Sequence, residues 1–359
     1  MRTIYIAETR LNNKSAYTHQ VIKMCDAFIR NNSNLILLLP FEKKISYKKL
    51  KNDFLLRGKK KFEVKSLLKS KIINFFGRLN FGIKAANYIK QNHNPDLVIT
   101  RSLISSVFLS IYKIDHFVEI HSELKSITKF ILINLNFINS QYIKKIIFIS
   151  KALEKKFNLS KKKTLILHDG VDIDNFSKSK SITKIKSVSY VGSFHEGKGI
   201  ELVLSLAEKF NKLDFHIYGD PLKKHYKKTN NVKIHGYVNY KKVPSILAKS
   251  DVLLLPSAPI QYGRSKSVNI SNYNSPLKMF DYLAAGKIII SSKLDGICEV
   301  LKNRENAILV KKYNLKLWEK ALNDLIKKKY KMIKLQKNSK ETAKKFTWNN
   351  RVKEIILNA

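Results

Sequence analysis

Two stretches of the sequence combine glycine, lysine and a helix start in the way that phosphate binding requires. In the first, SYVGSFHEGKGI, an apolar run is followed by Gly192, where the backbone can turn, and a helix begins near Gly199. The N–H groups at a helix start carry partial positive charge, and Lys198 adds a full one. The stretch is neither a dinucleotide fingerprint nor a Walker loop, so an ordinary strand–helix turn with a solvent-exposed lysine remains the alternative.

The second stretch, SPLKMFDYLAAG, has the signals of a short, well-bounded helix. Ser275 can cap its N-terminus, Pro276 suits its first position and Gly286 suits its C-terminal end. We expect this N-terminus to face a ligand, with Lys278 binding a diphosphate. Asp281, one turn further on, would accept hydrogen bonds from sugar hydroxyls. The alternative is a capped surface helix with a chance Lys/Asp pair.

Short apolar runs alternate with helical patterns along most of the chain. We expect the strands and helices that they form to hold the two lysine-bearing stretches in place. Most of these runs lack polar–apolar alternation, which is typical of strands buried on both faces of a parallel sheet. The pattern therefore predicts right-handed βαβ crossovers and doubly wound sheets. The predicted strands are 3–7, 34–39, 96–100, 116–120 and 145–149 in the first half, and 188–191, 215–218, 232–235, 252–255 and 288–291 in the second.

A polar, Ser/Lys-rich stretch interrupts this alternation at residues 169–187. We interpret it as a linker between two α/β domains, 1–168 and 188–340, each long enough to form its own core. Ligands of such folds bind at the carboxyl ends of the strands. We therefore expect two Rossmann-like domains that face each other across a cleft, with the site in that cleft.

The motifs follow one another in an order that is similar to a known enzyme family. The second half contains YVGSF…GKG, HGYV, SPLKMFDYLAAGK, Glu299 and NAILV, and the first half contains ITRS, VEIHSE, IIFISKALEKKF and HDGVDIDNF. Over nearly the whole chain this series resembles the retaining glycosyltransferases of family 4, which have the GT-B fold. The resemblance implies transfer of a hexosyl group from a UDP- or GDP-sugar to an acceptor hydroxyl with retention, without a metal or other cofactor. It also implies that a terminal helix, 341–359, crosses back to the first domain.

The resemblance assigns phosphate-binding roles in the second domain. Gly192 and Lys198 match the glycine and lysine of the family's phosphate motif. Ser193 stands where that motif usually has an arginine, which removes one cation from the diphosphate. Lys278 or Arg264 would then supply the missing charge.

The family's E-x7-E motif, whose glutamates usually contact the donor sugar and the ribose, falls here on Tyr273 and Asp281. The shorter carboxylate of Asp281 can still bind ribose hydroxyls, whereas Tyr273 leaves the donor-sugar contacts open. The other donor-side positions implied by the resemblance are Ser275, Pro276, Leu277, Tyr237 and Val238.

In the first domain the resemblance implies residues near the reacting sugar and the acceptor. His121 in VEIHSE matches the histidine that lies under the reacting sugar, although a histidine after a strand is also a common structural residue. Arg101, at the end of another strand, would meet the acceptor or a phosphate, with an interdomain salt bridge as the alternative. The loop after the first strand matches a glycine-rich loop of the family but lacks its glycines, which leaves Ser15 and His19 as candidates. Glu8 is a candidate acceptor-side carboxylate.

The net charge of +42 raises the question of an anionic partner. Of the 69 basic residues, 60 are lysine and nine are arginine. Because arginine is the residue of bidentate base and phosphate recognition, its scarcity disfavours a sequence-specific nucleic-acid reader, and we expect no nucleic acid partner. A lysine-rich composition from an AT-rich genome is another source of the charge. The two cysteines, Cys25 and Cys298, have no metal-ligand spacing and suit a reducing cytoplasm.

One segment, Lys43–Lys71, concentrates 12 basic residues and leads into the apolar and aromatic stretch Ile72–Phe81. This combination suits docking on an anionic membrane, and the alternative is a solvated loop followed by a core helix. We find no signal peptide pattern, and no apolar run approaches the ~20 residues of a spanning helix. We therefore expect a cytoplasmic enzyme, peripheral on the inner face of the plasma membrane, that glycosylates a lipid or lipid-linked saccharide.

Two other functions remain open. A nucleotide-sugar epimerase could share the two-domain fold and the diphosphate site but would need no acceptor. A basic nucleic-acid-binding protein would explain the charge, but it gives no reason for the two lysine-bearing helix starts.

Overall fold

A computed structural model describes residues 1–13, 15–43, 45–70, 74–92, 94–124, 126–176, 181–220, 229–262, 268–311 and 313–359. Within these ranges the chain forms two compact units. The first comprises Met1–Ile149, Leu153–His168 and Trp348–Ala359, and the second comprises Ser150–Ala152 and Asp169–Thr347. The predicted site residue Arg264, and positions 44 and 71–73 of the predicted membrane segment, lie outside the described residues.

Seven parallel strands form the sheet of the first unit. In chain order they are β1 (Arg2–Ile6), β2 (Asn34–Leu39), β3 (Glu63–Ser66), β4 (Leu97–Thr100), β5 (His116–Ile120), β6 (Ile143–Phe148) and β7 (Thr164–Ile166). They pair in the order β3-β2-β1-β4-β5-β6-β7. The helices that connect them are α1 (Ala16–Arg30), α2 (Tyr47–Phe54), α3 (Phe75–Asn92), α4 (Leu103–Ile111) and α5 (Ser126–Lys129). Helix α5 continues as a π-helical turn at Phe130–Asn134. The residues of α6 (Lys151–Glu154) are divided between the two units.

Six parallel strands form the sheet of the second unit. They are β8 (Ser187–Val191), β9 (Asp214–Tyr218), β10 (Val232–Ile234), β11 (Val252–Leu255), β12 (Ile288–Ser292) and β13 (Ile308–Val310), paired in the order β10-β9-β8-β11-β12-β13. The helices are α7 (Ile200–Lys209), α8 (Val243–Ala248), α9 (Leu277–Ala285), α10 (Asp295–Cys298), α11 (Leu315–Ile326) and α12 (Met332–Lys345). The chain then returns to the first unit as α13 (Trp348–Leu357).

The strands that the sequence pattern does not predict are β3, β7 and β13, and all three lie at sheet edges. An edge strand pairs with a neighbouring strand on one side only and is often short. It therefore needs no long apolar run. The sequence EVKS of β3 and the three-residue β7 and β13 give no periodic signal for this reason.

The stretch that we interpreted as a linker, 169–187, contributes to the core of the second unit. Ile182 and Ile185 are buried there among the side chains of β8 and α7. The predicted terminal segment, 341–359, likewise divides: residues up to Thr347 belong to the second unit, and only α13 belongs to the first. None of the helices in the described ranges is long and apolar enough to cross a membrane.

Candidate functional site

The ends of β8 and β9 build a tight turn at the carboxyl edge of the second sheet. β8 ends at Val191, and Gly192 turns the backbone with a φ of +152°. The N–H of Gly192 donates to the carbonyl oxygen of Tyr218 at 2.9 Å. The hydroxyl of Tyr190 donates to the carbonyl oxygen of Ser193 at 2.7 Å. Hydrogen bonds to its own strand and to the neighbouring strand therefore fix the turn.

Lys278 and Lys198 place two ammonium groups near this turn. The Nζ atom of Lys278 lies 3.9 Å from the ring centroid of Tyr190 and so close to Gly192 that a Cβ atom there would displace it. Burial lowers the pKa of Lys278 well below its ordinary value, and the charge of Lys198 lowers it further. Burial also lowers the pKa of Lys198 to about 8. No carboxylate of the described residues pairs with either lysine. An anion bound beside them would favour their charged forms.

Each lysine lies at the start of a helix whose N-terminus has no side-chain cap. Lys198 precedes α7, whose N-cap is Gly199 at a φ of +79°. A Cβ atom on Gly199 would collide with the carbonyl oxygen of Pro256, so the close packing at this turn requires glycine. Lys278 lies in the first turn of α9. The partial positive charge of both helix ends adds to that of the ammonium groups, and this combination favours phosphate.

The predicted capping of α9 is wrong by one residue. Pro276, not Ser275, occupies the N-cap position, because its ψ of 125° keeps it extended and the helix begins at Leu277. Ser275 is buried, at 3% exposed. Gly286 ends the helix in the left-handed conformation, as predicted.

Asp281 lies on the face of α9 that carries Lys278, three residues further along. Its Oδ1 atom accepts a hydrogen bond from the hydroxyl of Tyr240 at 3.0 Å. Burial and the negative charge of Asp281 raise the pKa of Tyr240 well above its ordinary value, so the phenol keeps its proton and remains a donor. The carboxylate is therefore held in place beside the lysine pair, as an acceptor for sugar hydroxyls must be.

The other predicted donor-side residues differ in exposure. Tyr237, after β10, is 44% exposed, and Pro276 and Leu277 are half-buried. Val238 packs against an apolar cluster of the second unit. Tyr273 is 1% exposed, and its carbonyl oxygen accepts a hydrogen bond from the hydroxyl of Ser150. The ring of Tyr273 is therefore part of the protein interior.

A buried carboxylate, Glu119, organises the first unit at the end of β5. Its Oε1 atom accepts a hydrogen bond from Nη2 of Arg351 in α13 at 2.7 Å, and both side chains are almost fully buried. Its Oε2 atom accepts from the hydroxyl of Tyr5 at 2.8 Å and from the amide of Gln20 at 3.4 Å. Burial alone would raise the pKa of Glu119, but the charge of Arg351 and a hydrogen bond from His121 hold it well below its ordinary value.

The two predicted residues at this edge of the first sheet, His121 and Arg101, both belong to the surroundings of Glu119. Nε2 of His121 lies 3.8 Å from a carboxylate oxygen of Glu119, which restricts the orientation of the ring. Nη1 of Arg101 donates to Oε1 of Gln20 at 2.6 Å, and its guanidinium lies 4.0 Å above the ring of Tyr17. Arg101 forms no ion pair with a carboxylate in the described part of the chain.

Three further predicted site residues of the first unit have local structural roles. Glu8 forms a two-point ion pair with Arg78, with Oε–N distances of 2.7 and 3.3 Å, so its carboxylate already has a cation. Ser15 caps the N-terminus of α1 with its hydroxyl oxygen. The ring of His19 packs against that of Phe54 at a centroid distance of 5.7 Å.

The residues that sequence reasoning missed are Tyr190, Tyr240, Glu119 and Arg351. Tyr190 and Glu119 carry a usable signal, because each stands two residues before a predicted site residue. Tyr240 and Arg351 act from other elements, and no local pattern marks them. Among the described residues, no group of three or more His, Cys, Asp or Glu side chains could hold a metal ion.

Residues 172–346, which lie within the second unit, match a sequence model of the family described as Glycosyl transferases group 1. The match includes the Gly192 turn, both lysines and Asp281.

Two curated proteins match parts of the chain. A protein of Klebsiella pneumoniae described as an uncharacterized 41.2 kDa protein in the cps region is 28% identical over 162 residues, which are 42% of this chain and 44% of that protein. An uncharacterized glycosyltransferase of Methanocaldococcus jannaschii is 22% identical over 222 residues, which are 57% of this chain and 56% of that protein. The chain therefore spans about half the length of the curated relatives it matches.

Solved structures align with the whole chain at low identity. A glycosyltransferase from Rickettsia africae is 16% identical with a TM-score of 0.74, covering 99% of this chain and 97% of that one. The UDP complex of HepE from Anabaena is 15% identical with a TM-score of 0.74 and full coverage of both chains. The lipopolysaccharide outer core galactosyltransferase WaaB is 15% identical with a TM-score of 0.69 and 99% coverage of both. Together with the two parallel sheets, these likenesses confirm the predicted GT-B class of fold, built from two Rossmann-like units.

Proposed function

We propose that the chain is a retaining, metal-independent glycosyltransferase of family 4 type, which moves a hexosyl group from a nucleotide diphosphate sugar to an acceptor hydroxyl. The observation that carries the proposal is the lysine pair. Lys198 and Lys278 are half-buried, lie at two helix starts and pair with no carboxylate of the described residues. A diphosphate bound there would favour the charged forms of both lysines. The match to glycosyltransferases and the UDP complex of the Anabaena neighbour support a nucleotide sugar as its source.

The second unit would act on the leaving group. Negative charge develops on the β-phosphate as the glycosidic bond breaks, and preorganised cations and helix N–H groups stabilise it without reorganisation. Lys198 and Lys278 take this role. Asp281, held by Tyr240, would accept hydrogen bonds from the ribose, and the exposed ring of Tyr237 would lie beside the base.

The first unit would act on the acceptor side. His121, oriented by Glu119, would contact the reacting sugar, and Arg101 would attract an anionic group of the acceptor. In a front-face transfer the leaving phosphate takes the proton of the acceptor hydroxyl. Such a reaction needs no pair of carboxylates of the glycosidase type.

A screen of UDP- and GDP-sugars by thermal shift tests the proposal. We expect one donor to raise the melting temperature of the wild type, and Lys198→Ala with Lys278→Ala, or Asp281→Ala alone, to abolish that rise. Lys316→Gln with Lys320→Gln, on the exposed face of α11, is the matched control and should leave the rise intact. A rise that is equal in all variants would refute the site.

Product analysis then separates the candidate reactions. Glycosyl transfer predicts a product with the anomeric configuration of the donor, formed only when an acceptor is present. A free epimer formed from the donor alone would identify the epimerase instead. Salt-sensitive binding to DNA or RNA without any response to nucleotide sugars would identify the nucleic-acid binder.

For the acceptor we propose a lipid or lipid-linked saccharide at the inner face of the plasma membrane. The apolar stretch Ile72–Phe81 gives limited support, because Phe81 is in the core and Phe76 is its strongly exposed aromatic residue in the described part. A second surface supports docking better. Between Glu123 and Glu154 the chain has five lysines and no acidic residue. The exposed apolar side chains of this stretch are Ile127 (49%), Phe130 (54%), Ile133 (38%) and Leu135 (53%).

Co-sedimentation with vesicles tests this docking. We expect binding to anionic vesicles that weakens in Phe130→Ser with Leu135→Ser and also when Lys69 and Lys71 are replaced by Gln. Ile326→Ser with Leu317→Ser, two exposed apolar residues of the second unit, is the control. If all variants sediment like the wild type, the membrane surface is wrong while the donor site stands.

A further inference from the structure

A buried glutamine, Gln261, links the two lysine-bearing helix starts of the second unit. It lies between β11 and α9 and is 1% exposed. Its Nε2 atom donates to the carbonyl oxygen of Gly197 at 3.1 Å, directly before Lys198. Its Oε1 atom accepts from Nδ2 of Asn274 at 3.0 Å, in the turn that leads to Lys278. One side chain therefore contacts the segments that lead into both α7 and α9.

These two bonds fix which end of the Gln261 amide faces which helix start. The carbonyl oxygen of Gly197 can only accept hydrogen bonds, so the amide nitrogen must face it. The amide oxygen then accepts from Asn274. The main chain of Gln261 is held as well, because its N–H donates to Oδ1 of Asn269 at 3.0 Å and its carbonyl oxygen accepts from the N–H of Ile270 at 2.8 Å. The side chain thus extends from a fixed backbone in one satisfied orientation.

The Gly197 end of this bridge packs closely against the segment that carries Gln261. Gly197 has a φ of +79°, and a Cβ atom there would collide with the carbonyl oxygen of Ile260. Its own carbonyl oxygen also accepts a hydrogen bond from the N–H of Ala258 at 2.9 Å. The backbone directly before Lys198 is therefore held by two donors, one from the main chain and one from the Gln261 side chain.

The Asn274 end has anchors of its own. The N–H of Asn274 donates to the carbonyl oxygen of Ile270 at 2.9 Å. A Cβ atom on Gly296, in α10, would lie only 2.8 Å from the carbonyl oxygen of Asn274, so α10 packs directly on this backbone. Each helix start is thus held locally, and Gln261 adds the side-chain link between them.

We propose that Gln261 is a positioning residue for the donor diphosphate, which sets the spacing between the starts of α7 and α9. The inference rests on the proposed function of the lysine pair. A diphosphate that contacts both Lys198 and Lys278 requires a fixed spacing, because cations stabilise developing charge best when they are already in place. Gln261 acts through the two segments that it joins and not by contact with the ligand.

Titration calorimetry with UDP and with GDP tests the inference. We expect Gln261→Ala to weaken binding of the nucleotide that the wild type prefers by about tenfold. Gln261→Met nearly keeps the side-chain volume and loses both hydrogen bonds, so it should weaken binding to a similar extent. Asn274→Ala leaves the bond to Gly197 in place and should have a smaller effect.

Gln336 provides the matched control. It is a buried glutamine of the same unit, and its amide accepts from the N–H of Ile182 and donates to the carbonyl oxygen of Gly286, at the C-terminal end of α9. Gln336→Ala therefore also loses two hydrogen bonds and should lower the melting temperature as Gln261→Ala does. It should leave the nucleotide affinity unchanged, because neither bond involves a helix start.

A double-mutant cycle gives a readout that a purely structural role would not change. In the wild type, Lys198→Ala removes a cation that is held in place. In Gln261→Ala that cation is already displaced, so the loss of affinity caused by Lys198→Ala should be at least about threefold smaller. In the Gln336→Ala background the loss should equal that in the wild type.

The possible results separate the inference from the proposed function. If nucleotide binding depends on Lys198 and Lys278 but is equal in the wild type and Gln261→Met, the positioning role is overturned and the donor site stands. Additive losses from Gln261→Ala and Lys198→Ala overturn the positioning role in the same way. If neither UDP nor GDP binds the wild type, the proposed function fails, and the inference fails with it.

Discussion

The pKa of Lys198, lowered to about 8 by burial, makes its charge sensitive to pH in the range where enzymes are assayed. A bound diphosphate favours the charged form and therefore raises this pKa, so binding takes up a proton wherever the free lysine is partly neutral. We predict that the affinity for the nucleoside diphosphate of the donor is highest below about pH 8 and falls as pH rises through that value. The lowered pKa of Lys278 acts in the same direction.

Calorimetry in two buffers of different ionisation enthalpy measures the proton uptake directly. The uptake should diminish in Lys198→Ala, because that variant has lost one of the two titrating groups. Release of protons on binding, or an affinity that does not change between about pH 7 and about pH 9, would contradict this role.

Gly192 offers a sharper test of the geometry, because its close contact is with the ammonium group itself. In Gly192→Ala the new Cβ atom would displace Nζ of Lys278 from its position over Tyr190. We predict a loss of affinity for the nucleoside diphosphate of about tenfold in a folded protein. Gly236→Ala is the matched control, because Gly236 also has a positive φ, but a Cβ atom there meets nothing within 4 Å. Equal affinities of the two variants would argue against the placement of Lys278.

The buried pair between Glu119 and Arg351 joins β5 to α13 within the first unit. Removing one partner leaves a buried charge without compensation, which typically costs about 3–5 kcal/mol. We predict this loss of unfolding free energy for Arg351→Met at pH 7, measured by urea denaturation. Lys353→Met, at an exposed position of the same helix, should change it by less than about 0.5 kcal/mol.

The destabilisation in Arg351→Met should depend on pH. In the wild type the pKa of Glu119 lies below that of an unfolded chain, so the pair stabilises the fold above that ordinary value and loses its effect as pH falls through the lowered pKa. Without Arg351, burial raises the pKa of Glu119, and the variant is most stable when the carboxyl is protonated. The difference between the two proteins should therefore shrink between about pH 7 and about pH 4. A constant difference would mean that Glu119 is not the cause.

The strands and helices could be predicted from sequence where a few neighbouring residues carry the signal. Long apolar runs identify the inner strands such as β2 and β11, and the proline and glycine around α9 bound it to within a residue. The edge strands β3, β7 and β13 escaped because each is only three or four residues long. The ion pair of Glu119 with Arg351 escaped for another reason: its partners are 232 residues apart, and only the folded topology brings them together.

At the candidate site the glycine and helix-start signals of the sequence predict Lys198, Lys278 and Asp281, and they do not predict the side chains that contact these residues. Tyr190, which contacts Lys278, is marked only by its place two residues before Gly192, and no local pattern marks Tyr240, which donates to Asp281. The sequence also could not predict the burial of Tyr273, because an aromatic residue in a motif gives the same sequence signal whether its ring lies in the core or in solvent.

For the molecule as a whole, the net charge of +42 is a free-energy cost of compaction as well as a source of anion binding. Lysines dominate this charge, and their mutual repulsion is screened over about 10 Å at 0.1 M salt and about 3 Å at 1 M. We predict that the melting temperature rises with sodium chloride over this range. The rise should persist in Lys198→Ala with Lys278→Ala, because it comes from charges spread over both units rather than from one occupied site. A rise that disappears in this variant would show that chloride acts at the lysine pair. A flat or falling melting temperature would mean that ion pairs, which salt weakens, outweigh the repulsion among the lysines.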